Sequence, residues 1–263
     1  MPFNKDSRGL KRRYEAIRTS QENETIYLSI VIPAFNEEER INKTISKIES
    51  YLKTQNYSYE IIVVDDGSKD NTATIIRDSA DYNHNVYLLQ NKENKGKGYS
   101  VKRGMLKARG EYILFSDADL STPIKEVEKL FPLFNRDYDI VIGSRGLTES
   151  NIVVHQPFYR ENMGRIFSNL VQLLTVKGIK DTQCGFKCFR GDVARDIFNR
   201  QTMSGFCFDV EVLYIASKSG YRIKEVPIIW YNSPKSKVNP LTDPLKMLLD
   251  LLRIRFNSFK HIY

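Results

Sequence analysis

The chain is poor in the residues that carry much familiar chemistry. Among its 263 residues it has three cysteines, three histidines and one tryptophan. Cys184 and Cys188 lie four apart, but no second Cys/His pair at zinc spacing accompanies them. With Cys207 they read as free, buried thiols of a reducing compartment, which leaves out a disulfide scaffold. His84, His155 and His261 are scattered, so a histidine metal cage is not supported. No apolar run approaches the roughly 18–20 residues of a membrane span, and the N-terminus lacks a signal-peptide core. There is no Walker loop, and Gly96-Lys97-Gly98 does not complete a dinucleotide fingerprint because position 101 is Val. The basic residues match no DNA- or RNA-binding motif, so nucleic acid is not expected as a partner.

What the chain does have is positive charge and abrupt strand ends. Its formal net charge is +8, which suits an anionic membrane surface or a phosphorylated substrate. Two apolar runs stop at carboxylates: Tyr59–Val64 meets Asp65-Asp66-Gly67-Ser68, and Tyr112–Phe115 meets Ser116-Asp117-Ala118-Asp119. Such runs read as buried strands, and open α/β sheets bind ligands at the carboxyl ends of their strands. Carboxylates gathered there repel one another unless a cation intervenes. Oxygen-only ligation by Asp117 and Asp119 suits Mg²⁺ or Mn²⁺.

The rhythm around these ends is strand then helix. Expected strands are Leu28–Ile32, ended by Pro33, then Glu60–Val64, Val86–Leu89, Tyr112–Ser116 and Asp139–Ile142. Expected helices begin with Asn36 as cap, at Asp70 or Asn71, at Lys97, and with Thr122 and Pro123 as cap and first residue. Ile41, Ile45, Ile48 and Leu52 mark the first helical face. This alternation predicts a mostly parallel, doubly wound sheet flanked by helices. Further on, residues 157–177 read as a helix, Gln183–Phe189 as a strand, Asp209–Ser217 as a helix and Tyr221–Trp230 as one strand. Three parts are expected: a basic arm over 1–24, one α/β domain over 25–240, and an amphipathic helix over 241–263. Leu245, Leu248, Leu249, Leu252 and Phe256 recur at helical spacing in that last part, among Lys246, Arg253, Arg255 and Lys260. It reads either as a helix packed on the domain or as one lying on lipid.

Five motifs follow in order: Ile32-Pro33-Ala34-Phe35-Asn36-Glu37, Val64-Asp65-Asp66-Gly67-Ser68, Asn94-Lys95-Gly96-Lys97-Gly98, Asp117-Ala118-Asp119 and Gly143-Ser144-Arg145. Together, over about residues 27–240, they resemble glycosyltransferase family 2, whose members have the Rossmann-like GT-A fold. Asp181-Thr182-Gln183-Cys184-Gly185-Phe186-Lys187, Phe208-Asp209-Val210-Glu211 and Glu225-Val226-Pro227 with Ser236-Lys237-Val238 are similar to its dolichyl-phosphate β-glucosyltransferase branch. Eukaryotic members of that branch have an N-terminal membrane anchor, where this chain has its basic arm.

The resemblance implies roles. Pro33, Phe35, Asn36, Glu37, Asp65, Asp66 and Lys97 would hold the nucleotide. Asp117, Ala118 and Asp119 would carry the metal and diphosphate, and Ser236 and Lys237 would close over it. Arg145, Arg160, Arg165, Gln183 and Lys187 would hold an acceptor phosphate. Asp181 and Asp209 would join Asp117 and Asp119 as catalytic carboxylates, with Glu211 on the sugar and acceptor side. The implied reaction is inverting transfer of a hexose, glucose from UDP-glucose, to a polyprenyl phosphate at the cytoplasmic face of a membrane. A family-2 transferase with a saccharide or other non-lipid acceptor is the alternative. Asp117-Ala118-Asp119-Leu120-Ser121 also resembles the nucleophile motif of haloacid-dehalogenase-like phosphatases, but it follows three earlier strands. A nucleotide-sugar sensor without turnover is the non-enzymatic reading.

Overall fold

The computed structural model describes residues 25–155, 157–233 and 243–263. Strand β1 (Leu28–Ala34) lies inside a seven-stranded sheet with β2 (Tyr59–Asp65) and β3 (Val86–Gln90) on one side. On its other side follow β4 (Tyr112–Ser116), β7 (Phe186–Arg190), β5 (Ile140–Ser144) and β8 (Ile223–Pro227), in that spatial order. All neighbours are parallel except β7, which runs antiparallel to both β4 and β5. A separate ribbon pairs β6 (Asn151–Val154) with β9 (Ile229–Tyr231).

Side chains on a strand alternate between faces, and that alternation divides the core. Val31, Ile113 and Phe115 belong to one layer, with α3 (Lys97–Lys107), α5 (Phe158–Leu174), α6 (Gly191–Arg200), α7 (Phe208–Lys218) and α8 (Asp243–Phe259). Ile30, Ile32 and Leu114 belong to the other, with α1 (Ile41–Leu52), α2 (Thr72–Tyr82) and the short α4 (Phe131–Phe134). Ile41, Ile45, Ile48 and Leu52 of α1 are all buried, as their spacing predicts. Each such burial contributes roughly 1.5–3 kcal/mol.

Several expectations are corrected. Pro33 does not end β1. The β4 ladder stops at Val31↔Phe115, so by Pro33 one side of β1 has no partner for the missing N–H. Asn36 does not cap α1, which starts at Ile41; Asn36 is left-handed (φ 50°) and its Oδ1 accepts from the Lys69 amide at 2.9 Å. The segment after Pro123 is a 3₁₀ helix over Ile124–Lys129 followed by α4. Pro132 has no N–H for a continuous α-helix, which accounts for the break. The run Tyr221–Trp230 is two strands. Pro227 ends the pairing of β8 with β5, and the chain then joins β6 in the ribbon. Strand β6 and helix α6 were not anticipated.

Helix α8 packs on the domain, but through Leu251 and Ile254. Leu249, Leu252 and Phe256, from the expected apolar face, point outward.

Candidate active site

Parallel pairing puts the carboxyl ends of β1, β2, β4 and β5 along one edge of the sheet. The antiparallel β7 brings its amino end to the same edge, where the Asp117 amide donates to the Gly185 carbonyl at 3.1 Å. Asp117 thereby meets a residue far along the chain, while Asp65 and Asp66 meet the nearer loops around Ser68 and Asn91–Gly96.

At the β1–β2 part of this edge two loops are laced together. The Asn36 amide donates to Ser68 Oγ (2.9 Å) and the Glu37 amide to Thr72 Oγ1 (2.7 Å). Glu37 pairs with Arg40, which also donates to Ser233 Oγ at 3.0 Å. Asp65 is fully buried and accepts from the Ser68 amide and from Gln90 Nε2, each at 3.2 Å. Asp66 accepts from Asn91 Nδ2 (2.7 Å) and the amides of Lys95 (3.0 Å) and Gly96 (2.8 Å). Asp66 thus shapes the loop that delivers α3. Pro33 and Phe35 lie on the β1 side of this lacing.

The glycines around Lys97 serve a close backbone approach within the protein. At Gly96 (φ 98°) a Cβ would sit 2.4 Å from the Ser204 carbonyl, and at Gly98 2.5 Å from that of Met203. Gln201 Nε2 bonds the carbonyls of both Gly98 (3.0 Å) and Met203 (2.7 Å). This clamp carries Lys97 to β4, where its Nζ lies 2.7 Å from Asp117 Oδ1. A Cβ on Gly185 would fall 1.9 Å from Asp117 Oδ2, so only glycine admits that carboxylate. Ala118 is buried with its carbonyl bonded by Thr44 Oγ1 (2.6 Å), Leu120 is left-handed (φ 47°), and Asp119 Oδ1 accepts from the Ser121 amide at 3.0 Å. The segment is a tight turn in which the Asp119 carboxylate feels the charge of Asp117.

Charge is unbalanced here. Burial, and then the Asp117 charge, push the Asp119 carboxyl above the usual carboxylate range. Burial works to lower the Lys97 ammonium, but Asp117, Asp209 and Asp119 hold it above its ordinary value. Among the described residues no three Asp, Glu, His or Cys side chains gather as a metal cage. Two carboxylates that repel each other still fit Mg²⁺ or Mn²⁺, which take one or two protein carboxylates and complete their shell with phosphate oxygens and water.

Beneath this layer lies a buried ion pair. Lys187 is 1% exposed and its Nζ lies 2.5 Å from both Asp209 Oδ1 and the Cys184 carbonyl. The Phe115 ring sits 5.3 Å from the Lys97 ammonium and 5.8 Å from that of Lys187. Burial pushes the Asp209 carboxyl up against the pull of Lys187 and Lys97. Lys187, expected at an acceptor phosphate, is placed under the site. Glu211 likewise faces away: it is fully buried and accepts from the Thr202 and Met203 amides and the Tyr263 hydroxyl. The three cysteines are free and buried.

Beyond β5 a second region opens. Arg145 grips Asp181 through Nε (2.7 Å), Nη2 (2.8 Å) and its own amide (2.9 Å), and its guanidinium lies over Trp230 at 5.4 Å. Burial alone would raise the Asp181 carboxyl, but Arg145 holds it below the usual range. A cavity of about 360 Å³ is lined here by Arg145, Lys180, Gln183, Trp230 and residues of α5. His155, 3.0 Å from Glu161, borders it as well. Trp230, Lys180 and His155 had no signal in the sequence as site residues, because the strands and helix that bring them together are far apart in the chain. Arg160 and Arg165 belong to α5, but their side chains lie outside the described ones. Ser236, Lys237 and the arm over 1–24 also lie outside the described residues.

A mostly parallel sheet with an acidic turn at the end of β4 defines an α/β architecture with its carboxylates at the strand ends, and solved structures bear out the fold. Mannosyl-3-phosphoglycerate synthase from Rubrobacter xylanophilus superposes with TM-score 0.65 at 17% identity, covering 94% of this chain and 77% of its own. Glucosyl-3-phosphoglycerate synthase from Mycobacterium tuberculosis, solved in complex with Mn²⁺, uridine diphosphate and phosphoglyceric acid, gives 0.63 at 17%, covering 92% and 81%. Both share the GT-A fold with this chain.

The model of "Glycosyl transferase family 2" matches residues 29–198, and the chain belongs to that family of glycosyltransferases. Its relatives include proteins named dolichyl-phosphate beta-glucosyltransferase. That of Dictyostelium discoideum is 40% identical, over 91% of this chain and 77% of its own. Those of Homo sapiens (36%; 93% and 80%) and Saccharomyces cerevisiae (34%; 97% and 81%) are similar over comparable spans.

Proposed function

We propose that the protein transfers glucose from UDP-glucose to a polyprenyl phosphate of dolichyl or undecaprenyl type, with inversion and with Mg²⁺ or Mn²⁺. One observation carries this reading. The acidic turn Asp117-Ala118-Asp119 has Lys97 beside it, and Asp117 lies near enough to act on the charge of Arg145, which walls a cavity with Lys180 and Trp230. The names of the relatives support glucose and a dolichyl phosphate, and a structural neighbour was solved with Mn²⁺ and uridine diphosphate.

In this reading Asp117 and Asp119 would hold a divalent cation, which would supply positive charge for a departing diphosphate. Lys97, held by the charges of Asp117 and Asp209, adds a positive charge on the same side. The β1 and β2 loops, with Pro33, Phe35, Asn36, Glu37, Asp65 and Asp66, receive the base and ribose. Arg145, oriented by Asp181 and Trp230, offers its guanidinium to the acceptor phosphate, with Gln183 beside it. A phosphate monoester has its second pKa near 6, so it reaches the site largely dianionic and needs no strong base. Its oxygen attacks the anomeric carbon opposite the diphosphate: the C–O bond to UDP breaks as the new one forms, giving a β-linked product from an α-linked donor.

A saccharide hydroxyl would instead need a carboxylate base. Asp181 is clamped by Arg145 and Asp209 by Lys187, which favours the phosphate acceptor. No described helix is long and apolar enough to cross a membrane. The enzyme is proposed to work peripherally on the cytoplasmic face.

The test is release of UDP and mass detection of the lipid product, with UDP-glucose, polyprenyl phosphate and Mg²⁺ or Mn²⁺. Turnover on saccharides in detergent-free buffer, with none on lipid phosphate, would transfer the assignment to the alternative acceptor class.

A further inference from the structure

We propose that α5 and α8 together form a lipid-facing platform that seats the enzyme on an anionic bilayer. The platform serves the lipid-phosphate acceptor proposed above and so rests on that reading.

The two helices pack against each other and cover the same face of the sheet. Each buries one side and leaves a second apolar stripe in the open. On α8 the inward side is Leu251, Ile254 and Asn257. Leu249, Leu252, Phe256 and Phe259 recur every three or four residues on the opposite side, with Phe256 54% and Phe259 83% exposed. On α5, Phe167, Leu170, Val171 and Leu174 face the core. Phe158, Ile166 and Leu173 are eight and seven residues apart, so they line up on one outer side, 62–78% exposed. A water-facing helix surface is normally polar, and an open apolar stripe on each of two helices in contact is more than the scattered exposed leucines of an ordinary surface.

The occupant follows from charge and position. At 100° per residue, Arg253 and Lys260 flank the α8 stripe on one side and Arg255 on the other. Apolar residues rimmed by cations match an acyl layer beneath anionic headgroups. A second copy laid face to face would bring these cations against their own counterparts, in a chain that already carries +8. Helix α5 also ties the platform to the site, since Glu161, Gly164 and Ser168 on another of its sides line the Arg145 cavity. A lipid phosphate lifted from the bilayer would cross one helix diameter to reach Arg145.

The test is co-sedimentation of the full chain, without sugar nucleotide or acceptor, on phosphatidylcholine vesicles with and without phosphatidylglycerol. The parent should bind when phosphatidylglycerol is present and be released by salt. Ile166→Glu with Leu173→Glu, and separately Leu252→Glu with Phe256→Glu, should each lower vesicle partition about tenfold or more. Tyr82→Glu, at an exposed position on α2, should leave it unchanged. Circular dichroism checks that each variant folds. Both pairs should keep the parental rate toward a short, water-soluble isoprenyl phosphate. Parental vesicle binding by either pair, or no binding by the parent, overturns the platform. So does a parental dimer that either pair converts to monomer. Absence of transfer by the parent to any lipid phosphate would instead strike the acceptor reading, while the vesicle results still decide the platform.

Discussion

The ammonium of Lys97 lies 2.7 Å from Oδ1 of Asp117, in the turn whose other carboxylate, Asp119, is pushed toward its neutral form by burial and by Asp117 itself. One lysine thus balances part of a charge that the site's proposed cation would balance more fully. A cation bound as proposed would compete with the lysine for that oxygen, and the competition can be measured.

Lys97→Met should lower kcat by about 10²–10³-fold, the usual cost of removing one donor from a site of charge development. It should also enlarge the rise in Tm that Mn²⁺ gives, because the ion no longer displaces a lysine. Thermal melts with and without Mn²⁺ check this; an unchanged metal-induced shift would separate Lys97 from the metal.

Asp119→Asn should abolish measurable turnover and leave the fold intact. The sign of its stability effect follows from the raised carboxyl. A raised carboxylate stabilises the fold only while protonated, and that contribution is lost as pH rises through the folded value. The asparagine should therefore melt at or above the parent at neutral pH. The difference should vanish below the ordinary aspartate pKa of about 3.9. Metal affinity of the parent should weaken on acidification at a pH above that expected for an ordinary carboxylate.

Asp181 titrates in the opposite direction. Arg145 holds it below the usual range, so its stabilisation is present above the unfolded pKa and lost as pH falls through the folded one. Asp181→Asn should cost about 1–3 kcal/mol in urea melts at neutral pH. The loss is moderated because Arg145 is 31% exposed. Arg145→Lys keeps the charge but loses the fork, and should raise KM for the acceptor phosphate more than KM for the sugar nucleotide.

Gly185→Ala tests the tight approach of β7 to the acidic turn. The new methyl would occupy the place of Asp117 Oδ2. Metal-dependent turnover should fall at least about tenfold, with a stability loss of about 1–3 kcal/mol. Calorimetric Mn²⁺ titration in the presence of UDP checks that the carboxylate has moved.

Much of the fold is legible from local pattern. The apolar runs before Asp65 and Asp117 are strands because they are short, β-branched and bounded by turn residues. Ile41, Ile45, Ile48 and Leu52 share a buried helical face because their spacing leaves no other amphipathic arrangement. The failures also have local causes. Asn36 has the chemistry of a helix cap, but a left-handed backbone turned its side chain to Lys69. Pro227 splits what reads as one strand, since pairing in two different sheets is invisible to a period-two pattern.

The chain's own order determined which carboxylates end which strands, because a side chain's place along a strand is set by covalent adjacency and a period of two. It also determined the supply of cations that an anionic ligand and an anionic surface require. Tertiary structure alone decided how those charges are spent. Antiparallel insertion of β7 buried Lys187 against Asp209, and the turn before it set Asp181 in the fork of Arg145. Ion pairs between residues 22 and 36 positions apart depend on how separate strands and helices stack. That stacking is settled by the packing of the whole core, which no local window of sequence contains.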